Sequence, residues 1–297
     1  SVTVGGCINS ATKAVTITAP IIQTITGTTP ICIGSSQTWT STTAGGSWTS
    51  SATSIATVGS STGVVTGISA GTATITYSVT VGGCVNTATK VITVTAPITQ
   101  TITGTTPICI GSSQTWTSTT TGGTWSSSAA SIATVGSSNG TVTGISAGTA
   151  TITYSVTVGG CVNTATKVVT ITAPIAQTIT GTTPICVGSS QIWTSTTTGG
   201  TWTSSSPSIA TVGSSNGTVT GVSAGTATIT YSVTVGGCVN AATKVVTITA
   251  PIAQTITGTT PICVGLSQTW TSTTTGGTWT SSSTAIATVG SSNGTVS

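Results

Sequence analysis

Cysteine is the residue whose type and spacing in this chain could do the most chemistry. Eight cysteines occupy positions 7, 32, 84, 109, 161, 186, 238 and 263, so spacings of 25 and 52 residues alternate. Zinc sites use clustered thiolates or imidazoles, and this chain has neither a Cys-x-x-Cys pair nor any histidine. Widely spaced cysteines instead favour disulfide bonds, which persist in secreted and cell-surface proteins.

The remaining side chains exclude most enzymatic chemistry. Four lysines are the only charged residues among 297, and Asp, Glu, Arg and His are absent. Acid–base catalysis, Ser-His-Asp triads and glycosidase carboxylate pairs all need the missing types. Calcium and magnesium prefer anionic oxygen ligands, which are missing too. We therefore predict that the protein is not an enzyme, with no catalytic residue, no metal site and no cofactor.

Charge and hydropathy also restrict the partners. A net charge of +4 over 297 residues is too dilute for a nucleic-acid footprint, which needs clustered Lys and Arg. No apolar run approaches the ~18 residues of a membrane-spanning helix, so we expect no nucleic-acid partner and no membrane span in this segment. The first residues lack the positive start and apolar run of a signal peptide. They suggest an interior segment of a longer protein.

Internal repetition dominates the chain. The two cysteine spacings add to a period of 77 residues, and Ala-Pro recurs in the same register. Residues 97–173 and 174–250 differ at only 8 positions. Such a period predicts a tandem array of one structural unit. We predict three complete repeats between two partial ones, the C-terminal strands of a truncated repeat and the N-terminal part of another; in chain order the five segments are 1–19, 20–96, 97–173, 174–250 and 251–297.

Each repeat has the pattern of β-structure. In Thr72–Val81 apolar residues alternate with Ser and Thr, the period of a strand with one buried face. Gly82-Gly83 then predicts a two-residue hairpin turn, followed by a second long strand from Cys84 to Thr95. Seven or so short strands per repeat predict an all-β tandem array of β-sandwiches. We expect large aromatic side chains to fill the cores: Trp39, Trp48 and Tyr77 in one repeat, and Trp116, Trp125 and Tyr154 in the next.

Four short motifs carry a resemblance to a known family. The stretches 48–51, 54–58, 63–68 and 70–76 read WTSS, SIATV, GVVTGI and AGTATIT. Their order resembles the bacterial Ig-like domain, group 2, and the resemblance covers every repeat. It implies Ig-like β-sandwich domains with no general enzymatic activity.

The cysteine-bearing flanks carry a second resemblance. Pro30–Gly34 and Gly82–Val85 resemble repeats of very large Bacteroidetes surface proteins, including gliding-motility adhesins. This implies a structural component of an extracellular fibre or adhesin stalk at the cell surface. The partners would be neighbouring repeats of the same chain and, in a filament, other copies of it. The alternative is an adhesive binding module, in which the repeats themselves bind glycan, a cell surface or ice.

The Ig-like resemblance bears on which cysteines pair. In such a sandwich Cys32 lies at one end of the domain and Cys84 at the other, ~40 Å away for strands of ~12 residues. A disulfide needs Cα atoms within ~7 Å. This favours bonds between adjoining domains, Cys32–Cys161 and Cys109–Cys238. The intradomain pairing remains open as the alternative: Cys32–Cys84, Cys109–Cys161 and Cys186–Cys238.

Each lysine falls at one position of the repeat. Lys13, Lys90, Lys167 and Lys244 are spaced by the 77-residue period. A charged side chain on an edge strand discourages pairing with other sheets. We expect these lysines to be solvated guards of a strand edge.

Overall fold

The computed structural model describes residues 1–297, apart from the side chain of Asn9, and is built from β-strands. The all-β class expected from the alternating pattern is thereby confirmed, as is the recurrence of one sandwich-type unit every 77 residues. Among the described residues no helix is long and apolar enough to cross a membrane. The chain divides into two compact units, 1–174 with 236–238, and 175–235 with 239–297.

The strands recur with the sequence period. Residues 1–19 contain β1 and β2: Val2–Val4 and Cys7–Asn9. Repeat 20–96 contains β3 to β11: Ile25–Thr26, Ile31–Cys32, Ser36–Thr38, Thr40–Ser41, Ser47–Ser50, Ala56–Val58, Val64–Gly67, Gly71–Val81 and Cys84–Thr95. Repeat 97–173 contains β12 to β20: Ile102–Thr103, Ile108–Cys109, Ser113–Thr115, Thr117–Ser118, Thr124–Ser127, Ala133–Val135, Thr141–Gly144, Gly148–Val158 and Cys161–Thr172.

The strands of residues 174–297 continue the numbering. Repeat 174–250 contains β21 to β29: Ile179–Thr180, Ile185–Cys186, Ser190–Ile192, Thr194–Ser195, Thr201–Ser204, Ala210–Val212, Thr218–Gly221, Gly225–Val235 and Cys238–Thr249. Residues 251–297 contain β30 to β33: Ile256–Thr257, Gln268–Thr269, Thr271–Ser272 and Thr295–Val296.

Each complete repeat has the same sheets. In repeat 20–96 a four-stranded sheet has the order β4-β11-β10-β7, and a three-stranded sheet has the order β5-β9-β8. The long strands β10 and β11 form an antiparallel hairpin that closes at the Val81–Cys84 pair. Gly82 and Gly83 fill the turn with φ of 60° and 82°, the left-handed region that a type I′ turn requires. The short strand β4 pairs in parallel with the end of β11.

The core of each repeat lies between its sheets. In repeat 20–96 it joins Trp48, Ile75 and Tyr77 of the four-stranded sheet to Val65 of the three-stranded sheet. The rings of Trp48 and Tyr77 are 4.7 Å apart between centroids. Trp39 is also buried here, and the equivalent aromatic residues are buried in the next two repeats. The alternation of small polar and apolar residues is what gives each strand a single face for this core.

One lysine in each complete repeat differs from the expectation. Lys90 is half-buried rather than fully solvated, and its Nζ donates a hydrogen bond to Gly27 O at 2.8 Å. The same nitrogen lies 5.6 Å from the centroid of the Trp39 ring. The face of an aromatic ring attracts a cation electrostatically. The methylene chain of a lysine can also cover apolar surface. The side chain therefore joins the packing of the core, and its strand β11 lies between β4 and β10 in the sheet.

Candidate functional site: the repeat junction

The junction between repeats 20–96 and 97–173 lies within the first compact unit. Here β4 pairs with the end of β11, so Ile31 is opposite Val94 and Cys32 is opposite Thr95. Ile33 N donates to Thr95 O at 3.0 Å and continues this pairing. The parallel pair brings Cys32 to the point where β11 leaves the repeat.

The β19–β20 hairpin of repeat 97–173 reaches the same point. Thr95 Oγ1 donates a hydrogen bond to Gly159 O at the tip of the hairpin, and it lies 3.5 Å from Cys161 Sγ. Cys161 is bonded to Cys32, with Cα atoms 4.7 Å apart. The structure therefore joins Cys32 to a cysteine in the hairpin of the next repeat. Cys84, the intradomain alternative, is a free thiol.

Gly160 allows the hairpin tip to approach the preceding repeat closely. A Cβ built on this glycine would lie 2.5 Å from Pro30 O and 3.0 Å from Ile31 Cα, and its φ is +78°. Both conditions exclude a larger residue, because real Cβ contacts are longer and left-handed φ is costly for other residues. The pair Gly159-Gly160 therefore has two roles. It forms the turn of the hairpin, and it allows the close contact with the preceding repeat.

A buried asparagine fixes the chain that enters the repeat. Asn163 Oδ1 accepts a hydrogen bond from Ile98 N at 2.8 Å, and its Nδ2 donates to Cys161 O at 2.9 Å. The side chain is nearly inaccessible to solvent. Buried polar groups stabilise only when they are hydrogen-bonded, as both ends of this amide are. An asparagine follows every hairpin cysteine by two positions, but this spacing alone does not predict the contact with Ile98.

A second disulfide bond in the first unit has the same surroundings. Cys109 is bonded to Cys238 with Cα atoms 4.8 Å apart. Thr172 Oγ1 donates to Gly236 O, as Thr95 does to Gly159 O. A Cβ on Gly237 would lie 2.5 Å from Pro107 O. Each disulfide spans 129 residues, which exceeds the 77-residue repeat, so the two covalent loops overlap between residues 109 and 161.

The other four cysteines are free thiols. Cys7, Cys186 and Cys263 are exposed, and Cys84 is half-buried.

No group of three His, Cys, Asp or Glu side chains that could hold a metal ion occurs in the described part of the chain. The second unit contains a cavity of about 520 Å³ whose lining includes Trp270 and Trp279. The chemistry that the junction itself provides is covalent crosslinking.

The comparison with family profiles matches one stretch of the chain. Residues 165–246 match the bacterial Ig-like domain (group 2). The matched stretch contains the counterparts of the motifs noted above, including residues 208–212 and 217–222. Similarity to this Ig-like domain extends to the neighbouring repeat, since 97–173 differs from 174–250 at only 8 positions. None of the curated proteins compared with the chain matches it.

Several solved structures are similar to this chain at low sequence identity. The surface layer protein SbsC, domains 1–6, is 21% identical over 72% of this chain and 36% of its own, with a TM-score of 0.24. A C-terminal fragment of intimin, bound to the intimin-binding domain of the translocated intimin receptor, is 19% identical over 62% and 59%, with a TM-score of 0.26. Domains 3–5 of Drosophila OTK are 10% identical over 75% and 93%, with a TM-score of 0.30. The chain thus spans about a third of the length of the SbsC chain.

Proposed function

We propose that this chain is a structural component of an extracellular bacterial fibre or adhesin stalk, built from Ig-like repeats crosslinked by disulfide bonds. The observation that carries the proposal is the covalent junction, in which a disulfide links a residue of one repeat to the hairpin of the next. Disulfide bonds persist outside the cell and are rare in the cytosol. The absence of Asp, Glu and His supports a role without catalysis.

The overlap of the two disulfides supports a load-bearing role. The bonds Cys32–Cys161 and Cys109–Cys238 are connected to each other by three separate backbone segments: 32–109, 109–161 and 161–238. One or two breaks in different segments therefore leave the two bonds connected. A fibre exposed to proteases and to tension gains from such redundancy.

The non-covalent contacts at the junction act in the same direction. Domains in one chain ordinarily move relative to each other unless their interface is extensive. Here the Thr95 hydroxyl, the close approach of Gly160 and the amide of Asn163 add to the disulfide within the first unit. Together they restrict hinge motion between the two consecutive repeats.

A finer assignment belongs to the same proposal. The motifs at Pro30–Gly34 and Gly82–Val85 support a place among surface proteins like the gliding-motility adhesins of Bacteroidetes. The proposed partners are the neighbouring repeats of the chain and further copies in a filament. The adhesive alternative would require the repeat surfaces to bind a ligand, and near-identical repeats offer no single distinctive site.

Immunogold electron microscopy of cells that make the protein tests the proposal. Antibodies raised against repeat 97–173 should label surface filaments along their whole length, because the repeats build the filament. Label at filament tips only, or binding of the soluble chain to glycan arrays, would favour the adhesive alternative. Label confined to the cell interior would overturn both functions.

A further inference from the structure

Strand β20 of repeat 97–173 has a long backbone edge without a partner strand. Its other edge pairs with β19 along the whole hairpin, from residue 161 to residue 171. On the open side, the described residues pair with β20 only through β13, at Ile171 and Thr172. Complete repeats precede and follow this one in the chain, and the edge stays open in their presence.

Even-numbered residues of β20 direct their backbone groups to this edge. Thr172 O accepts a hydrogen bond from Ile110 N, and Thr170 N donates to Thr106 Oγ1, both at 2.9 Å. Successive residues of a strand direct these groups to opposite sides. The earlier residues of the same alternation are Val162, Thr164, Thr166 and Val168. In the described structure no backbone hydrogen bond is made to these four residues on the open side.

This edge lacks the features that ordinarily prevent pairing with another sheet. Natural edge strands carry outward charges, prolines or bulges. Residues 162–168 contain no proline, and their pairing with β19 is continuous, without a bulge. Lys167 Nζ donates to Gly104 O at 2.8 Å and lies 5.5 Å from the centroid of the Trp116 ring. The charge that was expected to guard the edge is therefore held in the packing of the core.

The side chains along the edge are self-complementary. The four edge residues read Val, Thr, Thr, Val around Ala165, and all four are exposed. Two such strands that run antiparallel and are centred on Ala165 place Thr164 opposite Thr166. They also place Val162 opposite Val168. Threonine pairs across antiparallel strands stabilise a sheet through their hydroxyl groups, and valine packs well on a pleated surface.

The same register satisfies the backbone. Because all four edge residues direct their N–H and C=O groups outward, every pair they form is a hydrogen-bonded pair, for a total of about eight bonds. A shift by one residue would place these groups opposite residues directed away from the edge. A shift by two would place valine opposite threonine. The register centred on Ala165 is therefore the one that backbone and side chains both favour.

We propose that β20 pairs edge to edge with β20 of a second copy of this chain, antiparallel and centred on Ala165. The contact uses the same residues of both copies, so a two-fold axis relates them. It joins two four-stranded sheets of order β13-β20-β19-β16 into one continuous sheet. The equivalent stretches 85–91 and 239–245 repeat the sequence pattern, except for Ala241 in place of a threonine. The inference rests on the proposed fibre function and supplies a lateral contact between copies.

Two charge variants of the 297-residue chain test the inference, with all free thiols alkylated beforehand. Both change the two central edge positions of every complete repeat, because each repeat offers an edge. The first variant carries Thr87→Lys, Thr89→Lys, Thr164→Lys, Thr166→Lys, Ala241→Lys and Thr243→Lys, and the second carries glutamate at the same positions. These positions face each other in the antiparallel register, so each variant repels itself and attracts the other.

Sedimentation velocity measures the association. The unmutated chain should associate as its concentration rises. Each variant alone should associate at least tenfold more weakly, and a 1:1 mixture of the two should return to within threefold of the unmutated chain. The matched control puts six lysines on the three-stranded sheets and should change the association constant less than threefold: Ser36→Lys, Thr57→Lys, Ser113→Lys, Thr134→Lys, Ser190→Lys and Thr211→Lys. Similar melting temperatures would show that all forms fold.

Hydrogen exchange of the unmutated chain tests the same contact without substitutions. Association should slow exchange at the amides of Thr164 and Thr166 at least tenfold. The amide of Ala165 should not change, because it is directed to β19 in both states. A monomeric unmutated chain, self-association of either variant at full strength, a monomeric mixture, or unchanged exchange at Thr164 and Thr166 would overturn the inference. None of these outcomes bears on filament labelling, which tests the proposed function by itself.

Discussion

At the scale of single residues, one glycine, one tryptophan and one lysine form the same cluster in each complete repeat. In repeat 97–173 Lys167 Nζ donates to Gly104 O at 2.8 Å and lies 5.5 Å from the centroid of the Trp116 ring. Gly104 lies against this ring, since a Cβ there would be 2.5 Å from Trp116 Cδ2 and closer still to Cγ. The only charge of the repeat thus stabilises the packing of its most buried aromatic residue.

Gly104→Ala should therefore destabilise its repeat. Overpacking a full core costs about 1–3 kcal/mol, because neighbouring side chains must leave their preferred rotamers. Hydrogen exchange measured by mass spectrometry should show faster exchange in 97–173, while 174–250 serves as an internal reference. Gly277→Ala is the control, since no described atom lies within 4 Å of its added Cβ. Equal exchange in the two variants would contradict the packing argument.

At the scale of elements, the β-hairpin carries the junction. Its two strands belong to the core of one repeat, and its tip contacts the loop of the preceding repeat within the first unit. The same Gly-Gly turn occurs at 82–83, where the contact is absent from the described structure. The structure thus describes this turn once with a contact to a proline carbonyl, at Gly160, and once without one, at Gly83.

Comparing Gly160→Ala with Gly83→Ala should isolate the docking energy. Both substitutions place alanine at φ near +80°, which costs about 1–2 kcal/mol. Gly160→Ala adds the collision with Pro30 O, for a further cost of about 1–3 kcal/mol. The urea midpoint, followed by tryptophan fluorescence, should fall further for Gly160→Ala. Equal midpoints would mean that the close approach at Pro30 does not stabilise the junction.

At the scale of the whole molecule, the order of the crosslinks matters more than their number. The bonds Cys32–Cys161 and Cys109–Cys238 overlap in sequence, whereas the intradomain alternative would give three separate loops. Crosslinks that close long loops constrain the unfolded chain and typically contribute about 2–4 kcal/mol each. Overlapping loops have a property that separate loops lack. A single cut in the backbone between residues 32 and 238 leaves the two disulfides connected through the other segments.

Trypsin should reveal this connectivity, because the lysines fall once per repeat. After alkylation of the free thiols and denaturation without reduction, cleavage at the four lysines should leave one disulfide-linked species. It should contain residues 14–90, 91–167 and 168–244, and reduction should release three separate peptides on mass spectrometry. With intradomain pairs the same three peptides would separate before reduction. That result would remove the covalent junction and the observation on which the proposed function rests.

The repeat, the long strands and the residues available for the core can be recognised in the sequence. The alternation in Thr72–Val81 and the Gly-Gly turn are local patterns, and a strand with one apolar face has one way to bury it. The two motifs around cysteine, at Pro30–Gly34 and Gly82–Val85, are also local patterns. The missing acids and imidazoles restrict the chemistry of this chain in any fold, because no arrangement in space can supply a side chain that is absent.

Contacts between residues far apart in the chain depend on the three-dimensional fold. Lys90 and Gly27 are 63 positions apart, and Cys32 and Cys161 are 129 apart, so no local pattern relates them. The strand length expected of an Ig-like sandwich favours the pair between repeats and leaves the intradomain pair open. The parallel pairing of β4 with the end of β11 brings Cys32 to the hairpin of the next repeat. Such contacts depend on how the sheets pack in three dimensions. That packing is a property of the whole repeat rather than of any local pattern.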